Sequence, residues 1–355
     1  MHGLKVAFTG LPRQYNNLRE EILDVTDIVL RSGVLMNGNY TAEFEYWLAQ
    51  KNQVKYAITC HSGTQALEII ASHYRDALGG GHPRVLIPAM TYPATANAFA
   101  TSGWNIDIGD TDRYGILDTS KVTRQSEYQA VCIVGLYGAA VDCNIEHQLI
   151  IEDGAQHWLA GNCHRSGPTA ISFDPTKNLP NYGNGGAIVT DNRALADYAK
   201  SWCNNGKTFK HADFGSNSRM SEIDCAQMLV KTRYIDAWQL QRSKIARYWM
   251  ARLEKSSSIR CLIDNDNFHS HSFHKFVIDV DNRDLVQKKL LELGIETKIH
   301  YQNPLHELAA YEDLPSPGLL SVASSLARRC LTLPLYPELT DLEIDYIIDS
   351  VLNCV

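Results

Sequence analysis

Several patterns are missing from this chain of 355 residues, and their absence excludes some classes of protein. No run of Lys and Arg carries interleaved aromatic residues, and 40 acidic residues outnumber 33 basic ones, for a net charge of −7. Because proteins that bind nucleic acid carry a basic surface, we expect neither DNA nor RNA as a partner. Internal repeats and low-complexity tracts are also missing, and the 45% apolar content is ordinary for a globular protein.

Cysteine motifs and long apolar runs are lacking as well. The nine cysteines are an odd number, contain no C-x-x-C pair and show no zinc-ligand spacing, which predicts reduced structural thiols. No window approaches the roughly 20 apolar residues that span a bilayer, and the N-terminus, MHGLKVAFTGLPRQY, has no apolar core like that of a signal peptide. We therefore expect a soluble cytoplasmic protein with no membrane partner.

The chain is long enough for one large and one smaller domain. In its first part, short apolar strands alternate with helix-compatible segments, which predicts a mostly parallel sheet covered by helices. A helical pattern, long or interrupted, then covers residues 219–255, and strands are expected at 273–280 and 296–300. We predict a large α/β domain with an N-terminal helical segment over residues 1–240, and a small α+β domain over residues 241–355.

One lysine stands out in residues 168–191, PTAISFDPTKNLPNYGNGGAIVTD, where two apolar runs predict buried strands on either side of Lys177. The glycine-rich return tolerates positive φ and lets another group approach the backbone. A lysine held there can lose solvation, which lowers its pKa and frees its amine to attack a carbonyl carbon and form a Schiff base. The stretch alone equally allows an ordinary solvated loop lysine.

Two other predicted strands end in residues that suit a ligand. Ser62, Gly63 and Thr64 connect one strand directly to a helix, where free N–H groups and the helix dipole favour a phosphate. An ordinary helix cap is the alternative interpretation. Tyr92 follows the next strand, at the edge where open α/β sheets gather ligands, and its ring can stack on a planar group or simply pack.

Acidic residues end a further strand. The side chains of Glu152 and Asp153 alternate along it, so they point to opposite faces and only one is expected to enter a site. That carboxylate can cap a helix, or it can pair with a buried cation such as a protonated pyridine nitrogen. His157 nearby is expected to be packed or exposed rather than catalytic.

Taken together, these segments resemble the nucleotide-sugar aminotransferases of the DegT/DnrJ/StrS family over nearly the whole chain. SGTQAL at 62–67 is similar to the family's phosphate loop, PAMTY at 88–92 to its ring-stacking loop, and IEDGAQ at 151–156 to its acidic strand end. SFDPTKN at 172–178 resembles the Schiff-base lysine signature, and GSNSRM at 215–220 resembles the G-x-N-x-R-M segment. The resemblance implies pyridoxal 5′-phosphate as cofactor and the type I fold of aspartate aminotransferase.

The resemblance also implies a role for each matching residue. Lys177 would form the Schiff base and act as general base, and Asp153 would keep the pyridine nitrogen protonated so that the ring accepts electrons. Tyr92 would stack on the ring, and Gln156 would hydrogen-bond its phenolic oxygen. The phosphate would be held by Ser62, Gly63, Thr64 and Ser172, with Asn217 from the partner subunit of a homodimer that shares its active sites.

The implied activity is that of a transaminase that moves an amino group, expected from L-glutamate, onto a keto carbon of a nucleotide-activated deoxysugar. Amination of a keto-cyclitol and a non-catalytic regulator that keeps the fold are the alternatives. A sugar dehydratase that uses the same cofactor is disfavoured, because those relatives have histidine where this chain has Lys177. Departures from the family pattern at Gly154, Asp174, Ser218 and 203–206 leave the particular sugar open.

Overall fold

Strands and helices alternate through most of the chain in the computed structural model, which describes residues 4–122, 127–141, 147–160, 167–207 and 214–355. The strands are β1 (Tyr56–Cys60), β2 (Arg84–Pro88), β3 (Asn105–Gly109), β4 (Ala130–Val134), β5 (Ile150–Asp153), β6 (Thr169–Ser172), β7 (Gly186–Thr190), β8 (Ile259–Cys261), β9 (Phe276–Val280) and β10 (Cys330–Leu333). The helices are α1 (Leu11–Ser32), α2 (Asn39–Asn52), α3 (Gly63–Ala77), α4 (Pro93–Thr101), α5 (Arg193–Trp202), α6 (Glu222–Thr232), α7 (Ile235–Leu253), α8 (Arg283–Glu292), α9 (Ser321–Arg329) and α10 (Asp341–Cys354).

The first seven strands form one sheet in the order β1-β7-β6-β5-β4-β2-β3. Strands β6, β5, β4, β2 and β3 run parallel to one another, and only β7 is antiparallel to its two neighbours among the described strands. The predicted mostly parallel sheet is thereby confirmed. Because β1 points the same way as the parallel set, the chain leaves β1, β2, β5 and β6 at one common edge of the sheet.

Apolar layers cover both faces of this sheet. Every residue of β4 and β7 is buried, as expected for strands with helices on both sides. Adjacent residues of β7 point to opposite layers: Ile188 packs in the cluster that contains Ile70 of α3, and Val189 packs in the cluster that contains Phe44 of α2. The sheet is therefore held rigidly from both sides, which fixes the positions of the residues at its edge.

The smaller sheet has the order β10-β9-β8 and is antiparallel throughout. Its core contains Trp249 of α7, Phe276 of β9, Leu290 of α8 and Ile347 of α10. The predicted strand at 296–300 is wrong, because that segment forms only an isolated bridge between Lys298 and Thr332. Just before it, Ile295 bridges to Val6. The backbone therefore pairs first with the segment at Val6 and then with β10 at Thr332, and it forms a continuous ladder with neither.

The helical pattern predicted for residues 219–255 is interrupted. It forms α6 and α7, which are separated by Arg233 and Tyr234. Helix α7 crosses the predicted boundary between residues 240 and 241, and the division into two domains stays a prediction.

No helix of the described ranges has the length and apolar character that a membrane span requires. The described cysteines are free thiols; Cys143 and Cys163 lie outside the described residues.

A buried carboxylate from α6 caps the start of α2. Glu222 is 2% exposed, and its Oε1 accepts the backbone N–H of Tyr40 at 2.6 Å. Its Oε2 accepts the backbone N–H groups of Gly38 at 2.8 Å and of Thr41 at 3.2 Å. Since the N-cap residue Gly38 has no side chain to do this, the contact supplies the partners that a helix start needs.

We expect Glu222→Ala to lower the free energy of unfolding by about 3 kcal/mol or more, because it leaves several buried N–H groups without an acceptor. Urea denaturation measures the change. The exposed Glu43→Ala in the same helix is the control and should shift the midpoint little. Equal midpoints for the two variants would show that the Glu222 contact does not stabilise the fold.

Candidate active site

A cavity of about 460 Å³ lies at the sheet edge where the parallel strands end. Its wall contains all of the predicted site residues except Asn217, namely Ser62, Gly63, Thr64, Tyr92, Asp153, Gln156, Ser172 and Lys177. These residues follow four different strands and are as much as 115 positions apart in the sequence, the difference between 177 and 62. The parallel arrangement brings them together, because it directs the carboxyl ends of the strands to the same edge.

One end of the cavity is formed by the N-terminus of α3. Ser62 is the N-cap residue, and its hydroxyl oxygen accepts the N–H of Gln65 at 3.1 Å. A Cβ atom on Gly63 would come within 2.7 Å of the Ser172 Cβ, so only glycine lets the helix start this close to the end of β6. The first N–H groups of a helix have no partner within it, and the helix dipole attracts negative charge there. This end of the cavity therefore suits a phosphate group.

Asp153 ends β5 and presents a carboxylate to the cavity while remaining 6% exposed. Its Oδ2 accepts the Thr95 hydroxyl at 2.8 Å, and its Oδ1 accepts the N–H of Ala155 at 3.1 Å. The hydroxyl of Thr91 lies 2.8 Å from that of Thr95. These contacts hold the carboxylate in one orientation at the wall of the cavity.

The neighbouring acid points away from the cavity, as the strand alternation predicts. Glu152 is buried on the opposite face, where its carboxylate pairs with the Nε2 of His157 and accepts the Thr169 hydroxyl at 3.0 Å. His157 Nδ1 accepts the N–H of Gly135 at 3.1 Å, so the ring is fully used in packing. The prediction that only one of the two acids enters the site is confirmed, and so is the packed position of His157.

Lys177 lies in the turn that follows β6 and is half-buried against the same cavity as Asp153. Desolvation by the surrounding protein lowers the pKa of its amine from the ordinary value of 10.5, whereas the charges of Asp153 and Asp174 oppose this shift. A lowered pKa increases the fraction of neutral amine, which is the nucleophilic form. The structure thus favours the desolvated lysine over the solvated loop lysine that the sequence also allowed.

Gln156 connects the site to the C-terminal part of the chain. Its Oε1 accepts the N–H of Tyr137 at 2.8 Å, and its Nε2 donates to the Tyr301 hydroxyl at 3.2 Å. Burial raises the pKa of Tyr301 well above its usual value, so this residue stays a neutral phenol. The ring of Tyr301 also lies 5.8 Å from that of Tyr92, measured between centroids, and the two aromatic rings line one side of the cavity.

Sequence reasoning missed several residues of this wall: His274, Lys275, His300 and Tyr301 also line the cavity. His274 lies 3.1 Å from the carbonyl oxygen of Thr176 and 3.3 Å from the Oε1 of Gln156, and it thereby braces the turn that carries Lys177. His300 ends the segment predicted as a strand and Tyr301 follows it, and no role in the site was predicted for either residue. Nothing in the segment 273–280 marked His274 or Lys275 except their polarity in an apolar strand pattern.

Asn217 lies apart from the cavity within a single chain. It is exposed, its Oδ1 accepts from the Nη2 of Arg219 at 3.1 Å, and its backbone bridges to Asn204. Residues 208–213, which precede it in the chain, lie outside the described residues. Its proposed contact with the cofactor phosphate involves a second subunit and stays a prediction.

Comparison with known proteins places this chain in a family. The profile of the DegT/DnrJ/EryC1/StrS aminotransferase family matches residues 16–352. The "Pleiotropic regulatory protein" of Geobacillus stearothermophilus is 32% identical, over 98% of each chain. The dTDP-3-amino-3,4,6-trideoxy-alpha-D-glucose transaminase of Streptomyces venezuelae is 30% identical, over 98% of this chain and 95% of that protein.

A solved structure agrees with these similarities. It is described as ntda from Bacillus subtilis with bound cofactor pmp, is 27% identical and has a TM-score of 0.87 over 99% of this chain and 85% of that chain. The predicted fold class, the type I fold of this enzyme family, is confirmed. Since the family profile covers nearly the whole sequence, the chain belongs to the DegT/DnrJ/EryC1/StrS aminotransferase family and is a transaminase.

Proposed function

We propose that this transaminase uses pyridoxal 5′-phosphate to move an amino group from L-glutamate to a keto carbon of a nucleotide-activated deoxysugar, in the biosynthesis of deoxyaminosugars for polysaccharides or related products. The observation that carries the proposal is the single cavity that contains the desolvated amine of Lys177, the oriented carboxylate of Asp153 and the free N-terminus of α3.

The residues of the cavity fit this cofactor group by group. A dianionic phosphate suits the first turn of α3, with hydroxyl groups from Ser62, Thr64 and Ser172 around it. A protonated pyridine nitrogen suits the Asp153 carboxylate, which Thr95 and Ala155 already orient. An aldehyde suits the amine of Lys177. Because Gly63 has no Cβ, the start of α3 packs closely against Ser172 at the end of the cavity that suits the phosphate.

Each side chain then has a task in the reaction. When bound, pyridoxal phosphate supplies a carbon that exchanges amino groups and a ring that accepts electrons. In the resting enzyme, Lys177 would be bonded to that carbon. Once the substrate's amine has displaced it, Lys177 would move a proton between the substrate carbon and the cofactor carbon, and its lowered pKa suits this task. Asp153 would favour the protonated ring nitrogen, and Gln156 would donate its amide N–H to the phenolic oxygen. Tyr92 would cover one face of the ring.

The nature of the acceptor is inferred from the relatives. The Streptomyces venezuelae protein is named as a transaminase of a dTDP-linked amino sugar, and it aligns with this chain over almost its whole length. The Geobacillus protein has a regulatory name, but Lys177 and Asp153 lie here in an arrangement suited to catalysis. The position of Asn217 supports a homodimer in which each subunit completes the site of the other, because this residue is exposed and lies apart from the cavity of its own chain.

The test is a panel of dTDP-linked and UDP-linked keto sugars, together with a keto-cyclitol, given to the cofactor-loaded protein with L-glutamate. We expect continued release of 2-oxoglutarate with at least one keto nucleotide sugar, and no more than about one equivalent per bound cofactor when the acceptor is left out. Release with the keto-cyclitol alone would reassign the acceptor. If no acceptor gives release beyond the amount seen with L-glutamate alone, in protein that carries the cofactor, the proposed reaction is contradicted.

A further inference from the structure

A second lysine faces the cavity and has no assigned task. Lys275 is 7% exposed and lines the 460 Å³ cavity beside Lys177. It also lines a smaller cavity of about 40 Å³ behind Lys177, and its Nζ lies 5.2 Å from the centre of the Phe8 ring. Within the described ranges, its ammonium has neither a salt bridge nor a hydrogen bond to a side chain. A buried cation without a counter-ion is costly, so its presence at a binding cavity points to an anionic ligand.

The groups around Lys275 give this wall an excess of positive charge. Burial, followed by repulsion from Lys177 and Arg242, lowers the pKa of Lys275 to about 7, and the charge of Asp174 opposes the shift. The Asp174 carboxylate already accepts the N–H of Thr176 at 2.9 Å and its hydroxyl at 2.6 Å. Among the described residues, no carboxylate forms a salt bridge with Lys275, so an arriving anion would be the partner of its ammonium form.

The guanidinium of Arg242 is not available to bind the same anion. It is buried behind the cavity, where it donates to the carbonyl oxygens of Leu335 at 2.7 Å and of Phe273 at 3.3 Å. His274 and His300 also face Lys275, but desolvation by burial lowers the pKa of both imidazoles far below the usual value and keeps them neutral. The described residues that line the 460 Å³ cavity include two lysines, Lys177 and Lys275. Since Lys177 is assigned to the amine chemistry, Lys275 is the one that remains available to bind an anion.

We propose that Lys275 binds a carboxylate of the amino-acid donor while the donor's amino group reacts beside Lys177. An amino-acid donor always carries a carboxylate one bond from the carbon that holds its amino group, so this charge must enter the cavity together with the reacting atoms. A charge-assisted hydrogen bond from an ammonium compensates the loss of water around a carboxylate. The proposal rests on the transaminase function above, and it adds the residue that selects a donor with a negative charge.

Direct binding of glutarate to the cofactor-loaded enzyme tests this proposal by calorimetry, because glutarate has the carboxylates of the donor and no amino group to react. Lys275→Met keeps the length of the side chain and removes its charge. We expect it to weaken glutarate binding by about 30-fold or more, the loss typical of removing one member of a buried charge pair. Lys275→Arg should recover most of the affinity. Lys298→Met, at an exposed position near His300, is the control and should bind glutarate as the wild type does.

The two half-reactions, each followed through the absorbance of the cofactor, show whether the anion that binds Lys275 belongs to L-glutamate or to the sugar substrate. We expect Lys275→Met to raise the KM for L-glutamate by a similar factor and to leave the amination of a neutral keto deoxysugar moiety unchanged. Wild-type affinity for glutarate in Lys275→Met would overturn the proposal. An effect confined to the sugar half-reaction would overturn it too, because the anion would then belong to the sugar. Glutarate binding is measured without turnover, so a failure of the proposed reaction itself stays distinguishable from a failure of this site.

Discussion

Lys177→Ala is expected to reduce transamination by at least about 10³-fold, because in the proposed reaction this one side chain would supply both the nucleophilic amine and the proton transfer. The fold should remain intact. Lys177 is half-buried in a turn, and its amine is a partly desolvated cation whose removal leaves no buried donor or acceptor unpaired among the described residues. Release of 2-oxoglutarate measures the activity, and urea denaturation measures the stability.

Borohydride reduction identifies the lysine independently of turnover. Wild-type protein should be yellow and should retain the cofactor covalently after reduction, whereas Lys177→Ala should not. Because Lys275 lines the same cavity, Lys275→Met is the matched control and should still give the covalent adduct. An adduct that persists in Lys177→Ala and disappears in Lys275→Met would assign the covalent bond to the other lysine.

Asp153→Asn is expected to lower activity on the order of 10²-fold to 10³-fold, the range for the loss of one electrostatic contact in an active site. Asparagine has nearly the same shape, and its amide oxygen can still accept a hydrogen bond from Thr95. What the variant loses is the negative charge that would favour a protonated ring nitrogen. The steady-state rate with L-glutamate and an accepted keto sugar measures the effect.

The same variant should lower the pKa of Lys177. The charge of Asp153 stabilises the Lys177 ammonium and opposes the effect of burial, so removing that charge lets the neutral amine persist to lower pH. The rate at which cofactor-free protein captures pyridoxal phosphate should therefore reach half its maximum at a lower pH than in the wild type. Glu152→Gln, one residue away but on the opposite face, should cost stability through the loss of its charged contact with His157 and leave that pH unchanged. Equal pH profiles for Asp153→Asn and the wild type would contradict the electrostatic link.

Much of the local structure was predictable, because it depends on spacing within a few residues. Alternation along β5 placed Glu152 and Asp153 on opposite faces, and the structure confirms this. The small residues after β1 predicted the connection to the start of α3. The segment at 296–300 shows the limit of such patterns, because its brief pairing with Thr332 depends on a strand more than thirty positions away.

By itself, the sequence determined the order of the elements, the loop that holds Lys177 and the residues that end each strand at the cavity. Only the tertiary structure decided that β7 inserts between β1 and β6, and that residues 274–275 and 300–301 complete the wall of the cavity that contains Asp153. It also decided that Lys177 is partly desolvated and that Lys275 has no counter-ion among the residues that the structure describes. The reason is physical: periodicity reports which side of an element is buried, whereas desolvation and charge depend on groups that the fold brings from distant parts of the chain.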